Sequence, residues 1–152
     1  MTRGPALPDE PTALTARYEA VDRAAALVSA FCTRHGVDRR IELKLTLVLE
    51  ELITNTIEHG FGAESDTPIR IALGASGAGL ALFYEDAAPP FDPFAHDAAS
   101  PARVDAPLDD RPVGGLGIHL IGRIAGSARY AREADRNRIW ITLPTAPDSS
   151  TL

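Results

Sequence analysis

From Asp38 to Gly60 the chain carries one apolar stripe at helical spacing, Ile41, Leu45, Val48 and Leu52, widened by Leu49 and Ile53. A helix with so broad an apolar face gains its stability by lying on another layer. Asp38 is placed to cap its start and Gly60 to end it. A second helical pattern precedes it, with Tyr18, Val21, Ala25, Val28 and Cys32 in phase up to the stop at His35-Gly36. The covering layer is read from segments predicted as strands: 12–17, 68–74, 80–84, 128–133 and 138–143. A glycine-rich turn over 74–79 joins one pair as a hairpin, and a turn over 135–137 joins the last pair. A third helix is predicted from Leu116 to about Ile124. The expected fold class is α/β, a two-layer sandwich whose mixed, mostly antiparallel sheet carries its helices on one face.

Three polar or glycine-rich stretches sit at the joints of this plan. Glu51 and Asn55 are four residues apart on one face of the second helix, with His59 following, away from the centre of the apolar stripe. They are expected to border a cleft. A carboxylate there can orient or deprotonate a nucleophile, and an Asn oxygen suits Mg²⁺, which takes few protein ligands and keeps phosphate and water for the rest. Asp86 stands at a strand end, followed by Ala88, Pro90 and Phe91. Gly114-Gly115-Leu116-Gly117-Ile118 opens the third helix, where backbone N–H groups and the helix dipole favour phosphate oxygens. Its spacing is not the dinucleotide fingerprint. Taken singly, each stretch also has a plainer use: surface polar pair, turn cap, flexible helix start.

Between the second and third stretches, residues 87–113 hold six prolines and no periodic pattern, as expected of a loop over a site. It carries Arg103 and Arg111, and Lys44 is the chain's single lysine. Arg111 is therefore the candidate cationic clamp for a terminal phosphate, although beside Asp109 and Asp110 it also reads as an ordinary solvated charge. His59 reads as a partner for a helix C-terminus, with no second His or Cys at ligand spacing.

At 152 residues, 45% of them apolar, the chain is of single-domain size. The expected boundaries are an irregular leader over 1–11, a domain over 12–144 and a polar tail over 145–152. A net charge of −6 argues against a nucleic-acid or anionic-membrane surface. Cys32 is the only cysteine, which excludes an intrachain disulfide. With no long apolar run and no signal-peptide core at the start, the expected location is the cytoplasm.

In this order the three stretches resemble the motifs of the stand-alone histidine-kinase-like (Bergerat-type) ATPase domains, in the branch of the anti-sigma-factor serine/threonine kinases. E-x-x-x-N followed by H-G is matched by Glu51, Asn55, His59 and Gly60. D-x-G-x-P-F-D-P is matched by Asp86, Pro90, Phe91, Asp92 and Pro93, with Ala88 where the family has glycine. G-G-L-G-[LI] is matched by Gly114 to Ile118. Glu58 stands where sensor histidine kinases commonly carry Lys, which favours the serine kinase branch.

That resemblance implies ATP and Mg²⁺ as cofactors, with Glu51 as the catalytic carboxylate and Asn55 as the metal ligand. Nucleotide contacts would come from Asn55, His59, Asp86 (to the adenine amine), Ala88, Pro90, Arg111 and Gly114 to Ile118. It implies γ-phosphate transfer to a Ser or Thr of a STAS-type antagonist, sequestration of a sigma factor, and a homodimer. The alternative is a weakly catalytic or non-catalytic binding module that regulates a partner by sequestration. Ala88 leans toward that alternative: if its position requires positive φ, alanine costs on the order of 1 kcal/mol there, and its methyl could crowd the base.

Overall fold

The computed structural model describes residues 10–76, 79–94 and 126–145. Strand β1 (Thr12–Thr15) leads into helices α1 (Glu19–His35) and α2 (Arg39–Asn55), which runs on into a π-helical turn (Thr56–Phe61). A hairpin of β2 (Pro68–Ser76) and β3 (Gly79–Asp86) follows, and β4 (Ser127–Glu133) and β5 (Arg136–Pro144) form a second hairpin. The five strands make one sheet in the order β1-β2-β3-β5-β4, and every described pairing is antiparallel. The expected third helix, Arg103 and most of the expected loop lie outside the described residues. No described helix is long and apolar enough to cross a membrane.

Strand alternation selects what meets the helices. Ile69, Ile71 and Leu73 of β2, Leu80, Leu82 and Tyr84 of β3, and Ile139, Ile141 and Leu143 of β5 share one core with both helices. Register aligns them in rows, with Leu82 opposite Leu73 and Ile141, and Tyr84 opposite Ile71 and Ile139. From the helices come Ala24, Val28 and Cys32 of α1 and Leu45, Val48, Leu49 and Leu52 of α2. Each fully buried Leu or Ile adds roughly 1.5–3 kcal/mol, so this layer holds α2 and its polar flank in place.

The joints around α2 follow local chemistry. Gly36 ends α1 at φ 63°, and the Val37 N–H donates back to the Cys32 carbonyl at 2.9 Å. Asp38 caps α2 as expected, its carboxylate accepting from the Arg40 N–H at 2.7 Å. At the far end the Tyr18 N–H donates to Glu64, the Tyr18 hydroxyl to Glu58, and the Arg17 guanidinium to Asp66. These contacts tie the start of α1 to the chain that leaves the π-helical turn.

Several boundaries differ from expectation. Strand β1 ends at Thr15, not at residue 17, because the Ala16 N–H turns to the Thr67 carbonyl and the Ala16 carbonyl accepts from Ser65. Strands β2 and β3 run longer than expected, β2 to Ser76 and β3 from Gly79 to Asp86. The regular helix stops at Asn55, and the left-handed residue that ends the π-helical turn is Gly62 at φ 80°, in place of Gly60. The second hairpin turns on Ala134 and Asp135, both at positive φ, so Asn137 belongs to β5 and not to the turn.

Candidate functional site

The end of α2, the π-helical turn and the exit of β3 meet on the helix-bearing side of the sheet. Asp86, the last residue of β3, is buried there, and both its oxygens are engaged. Its Oδ1 accepts from the Ala88 N–H at 3.1 Å and from Asn137 Nδ2 at 2.8 Å. Its Oδ2 accepts from the Thr56 hydroxyl at 2.8 Å. A buried carboxyl without partners would be costly, and here three donors serve it.

A second hydroxyl stands behind Thr56. Tyr84 Oη lies 2.6 Å from Thr56 Oγ1, and Thr56 Oγ1 also lies 3.0 Å from the Leu52 carbonyl. That carbonyl already accepts from the Thr56 N–H, and Asp86 can only accept, so the consistent arrangement runs Tyr84 to Thr56 to Asp86. Burial pushes the Tyr84 phenol far up from its ordinary value, which keeps it a donor. The π-helical turn begins at Thr56, whose N–H still reaches the Leu52 carbonyl, and such turns are common at functional sites.

The same turn brings the first and second stretches into contact. The His59 ring stacks on Phe91 with centroids 5.9 Å apart. Gly60 faces Ala88 so closely that a Cβ built on the glycine would lie 2.8 Å from the Ala88 methyl. Ala88 is buried, and the only described non-glycine residues at positive φ are Ala134 and Asp135. The strain considered for Ala88 from the sequence is therefore absent; its methyl fits because residue 60 has none. Pro90 lies exposed beside this wall.

Glu51 and Asn55 are more enclosed than a cleft border requires. Both are buried, and among the described residues Glu51 Oε1 and Asn55 Nδ2 have no hydrogen-bond partner. Two polar atoms left bare in this way are expensive unless a ligand or solvent serves them. Burial, then the charges of Glu58 and Glu50, push the Glu51 carboxyl from its ordinary 4.5 to about 7. Among the described residues no group of three or more His, Cys, Asp or Glu could hold a metal. A cation beside Asn55 would thus depend on phosphate and water oxygens, as Mg²⁺ commonly does.

Asp86 and Ala88 meet the end of the first stretch through Thr56 and Gly60, His59 joins them through Phe91, and Asn55 directly precedes Thr56 in the chain. Arg111, Gly114, Gly115, Leu116, Gly117 and Ile118 lie outside the described residues. Four residues went unnoticed in the sequence: Thr56, Tyr84, Asn137 and Arg132, whose guanidinium donates to the Ala88 carbonyl at 2.7 Å. Tyr84 had a signal, since it shares a strand face with Asp86 two residues on. Asn137 had none, because only cross-strand register sets it opposite Asp86.

Known proteins bear on this geometry. The chain is 28% identical over 110 residues to the serine/threonine-protein kinase BtrW of Bordetella bronchiseptica, covering 72% of this chain and 75% of that protein. A structure of the SiaB-SiaC complex from Pseudomonas aeruginosa superposes with a TM-score of 0.53 at 13% identity, covering 87% of this chain and 88% of the other, which is a likeness of fold. Residues 14–143 match the sequence profile described as the histidine kinase-like ATPase domain, and the chain belongs to that family.

Proposed function

We propose that the protein is a serine/threonine protein kinase that moves the γ-phosphoryl group of ATP to a hydroxyl of a STAS-type antagonist, and that it sequesters a sigma factor as a cytoplasmic homodimer. What supports this most is one convergence: the Glu51–Asn55 pair and the Asp86–Ala88 loop share the helix-bearing side of the sheet, joined by Thr56. Similarity to a serine/threonine kinase supports the reaction class.

Glu51, with a carboxyl that titrates near neutral pH, accepts the proton of the attacking hydroxyl. The bond from phosphorus to the β–γ bridging oxygen breaks, a new bond to the Ser or Thr oxygen forms, and ADP leaves. Asp86 accepts from the exocyclic amine of the base. Asn55 is the residue that would hold Mg²⁺, and that ion supplies neutralisation of the triphosphate charge. Arg111 and Gly114 to Ile118 are assigned the phosphates on sequence alone.

The test is transfer of label from γ-labelled ATP, with Mg²⁺, to a STAS-type protein encoded beside this one. Labelled Ser or Thr with the wild type and none with Glu51→Ala supports the kinase. Nucleotide binding and a stable complex without transfer means a sequestering module.

A further inference from the structure

We infer that Asn137 is the positioning residue of the base end of this site: it aims Asp86 and holds the Ala88–Phe91 wall, so that selection of an amine-bearing base depends on it. The inference rests on the nucleotide reading above and names which residue gives it selectivity.

Register comes first. Asp86 and Asn137 are Cα partners at the end of the β3–β5 pairing, so their side chains leave the sheet side by side. Asn137 is 2% exposed, a polar side chain placed among hydrogen-bonding groups with almost no access to water.

The amide has one workable orientation. Its Oδ1 accepts from the Tyr130 hydroxyl at 2.6 Å and the Phe91 N–H at 3.2 Å. Its Nδ2 shares two hydrogens among Asp86 Oδ1 at 2.8 Å, the Pro89 carbonyl at 3.0 Å and the Ala88 carbonyl at 3.2 Å. A flipped amide would set its NH₂ against the Phe91 N–H and its oxygen against a carboxylate and two carbonyls. One side chain thus binds the aspartate and three residues of the chain just beyond it. No hydroxyl could replace it, having a single proton to give.

The consequence concerns the base. Asn137 holds one oxygen of Asp86 and Thr56 the other, so the carboxylate has little freedom to rotate and remains an acceptor. An acceptor fixed in direction favours a base presenting an amine and disfavours one presenting a carbonyl at that place, since two acceptors facing each other leave both unsatisfied. Without the Asn137 amide, Asp86 turns more freely and the wall from Ala88 to Phe91 loses its tie. Binding through phosphates would survive that; discrimination between bases would not. A residue that merely glued two strands together would give the opposite pattern, with lower stability and an unchanged preference.

The experiment is calorimetric titration of ADP and of IDP, which carries a carbonyl in place of the adenine amine, into wild type, Asn137→Ala and Tyr130→Phe. The wild type is expected to prefer ADP, and Asn137→Ala to lose about tenfold of that preference, the scale of a hydrogen bond to a charged group. Tyr130→Phe keeps the asparagine and removes one donor that orients it, so a smaller loss in the same direction is expected. It decides the matter if Asn137→Ala does not fold. An ADP:IDP ratio unchanged in the variants, or a wild type indifferent to the base, overturns this inference alone. A wild type that binds neither nucleotide overturns the kinase reading and this inference with it.

Discussion

A Cβ built on Gly60 would stand 2.8 Å from the Cβ of Ala88, closer than real methyl groups approach. Gly60 is not at positive φ, so its requirement is room and not backbone freedom. The end of the first motif and the middle of the second are therefore one packing unit: alanine is tolerated at 88 because glycine stands at 60. Gly60→Ala should cost about 1–3 kcal/mol, the range for an extra methyl forced into a packed contact. In an Ala88→Gly background the same change should cost much less. A double-mutant cycle by urea unfolding measures the coupling, and purely additive effects would remove the contact as an explanation.

The Glu51 carboxyl gives a pH signature. In the unfolded chain it titrates near 4.5, and in the fold near 7, chiefly through burial. Between those values the folded state keeps a proton that the unfolded chain has released, so this group lowers stability as pH rises through the window. Glu51→Gln should raise the melting temperature above pH about 7 and leave it near the wild-type value below about 4.5. Kinase activity of the wild type should rise with pH through about 7, as a base with that pKa becomes available. Parallel melting curves across the whole range for variant and wild type would show that burial does not perturb Glu51.

The Tyr84–Thr56–Asp86 chain predicts a cooperative deletion. Thr56→Val leaves a buried carboxylate short of a donor and should cost about 1–3 kcal/mol. Tyr84→Phe removes a hydroxyl that serves Thr56 and the Leu52 carbonyl, and should cost about 1 kcal/mol. Because the Tyr84 proton has nowhere as good to go once Thr56 is gone, the double variant should lose less than the sum. Thermal unfolding of all four proteins tests this, and a sum without coupling would mean the Tyr84 hydroxyl bonds elsewhere.

How far the sequence carried can be judged on the same residues. The apolar stripe of α2 and the alternation of β2, β3 and β5 were legible because burial imposes a period on each. The Asp38 cap and the Gly36 stop were legible because their chemistry is local. The contact of Thr56 with Asp86 was not, since the two stand thirty residues apart in the chain. Asn137 escaped for the same reason: in the sequence it sits beside a turn, and only pairing with β3 gives it a partner. The cost weighed for Ala88 depended on a positive φ that the position does not have, and the contact that constrains it, with Gly60, lies far away in the chain.

The β4–β5 turn offers a stabilising change away from all of this. Ala134 at φ 52° and Asp135 at φ 59° are the two loop residues between strands that end at Glu133 and resume at Arg136. Positive φ at both positions is the geometry that favours Asn-Gly in two-residue hairpins. Alanine has no side-chain group to compensate the left-handed conformation, and its Cβ crowds the following carbonyl. Ala134→Asn should therefore stabilise the fold by about 0.5–1 kcal/mol, and Ala134→Val should destabilise it by at least as much, since a β-branched side chain tolerates that φ poorly. Asn137 lies two residues beyond the loop, so Ala134→Asn should also leave the ADP:IDP preference where it is in the wild type. A stability gain accompanied by an altered preference would mean that the turn and the base end of the site move as one body.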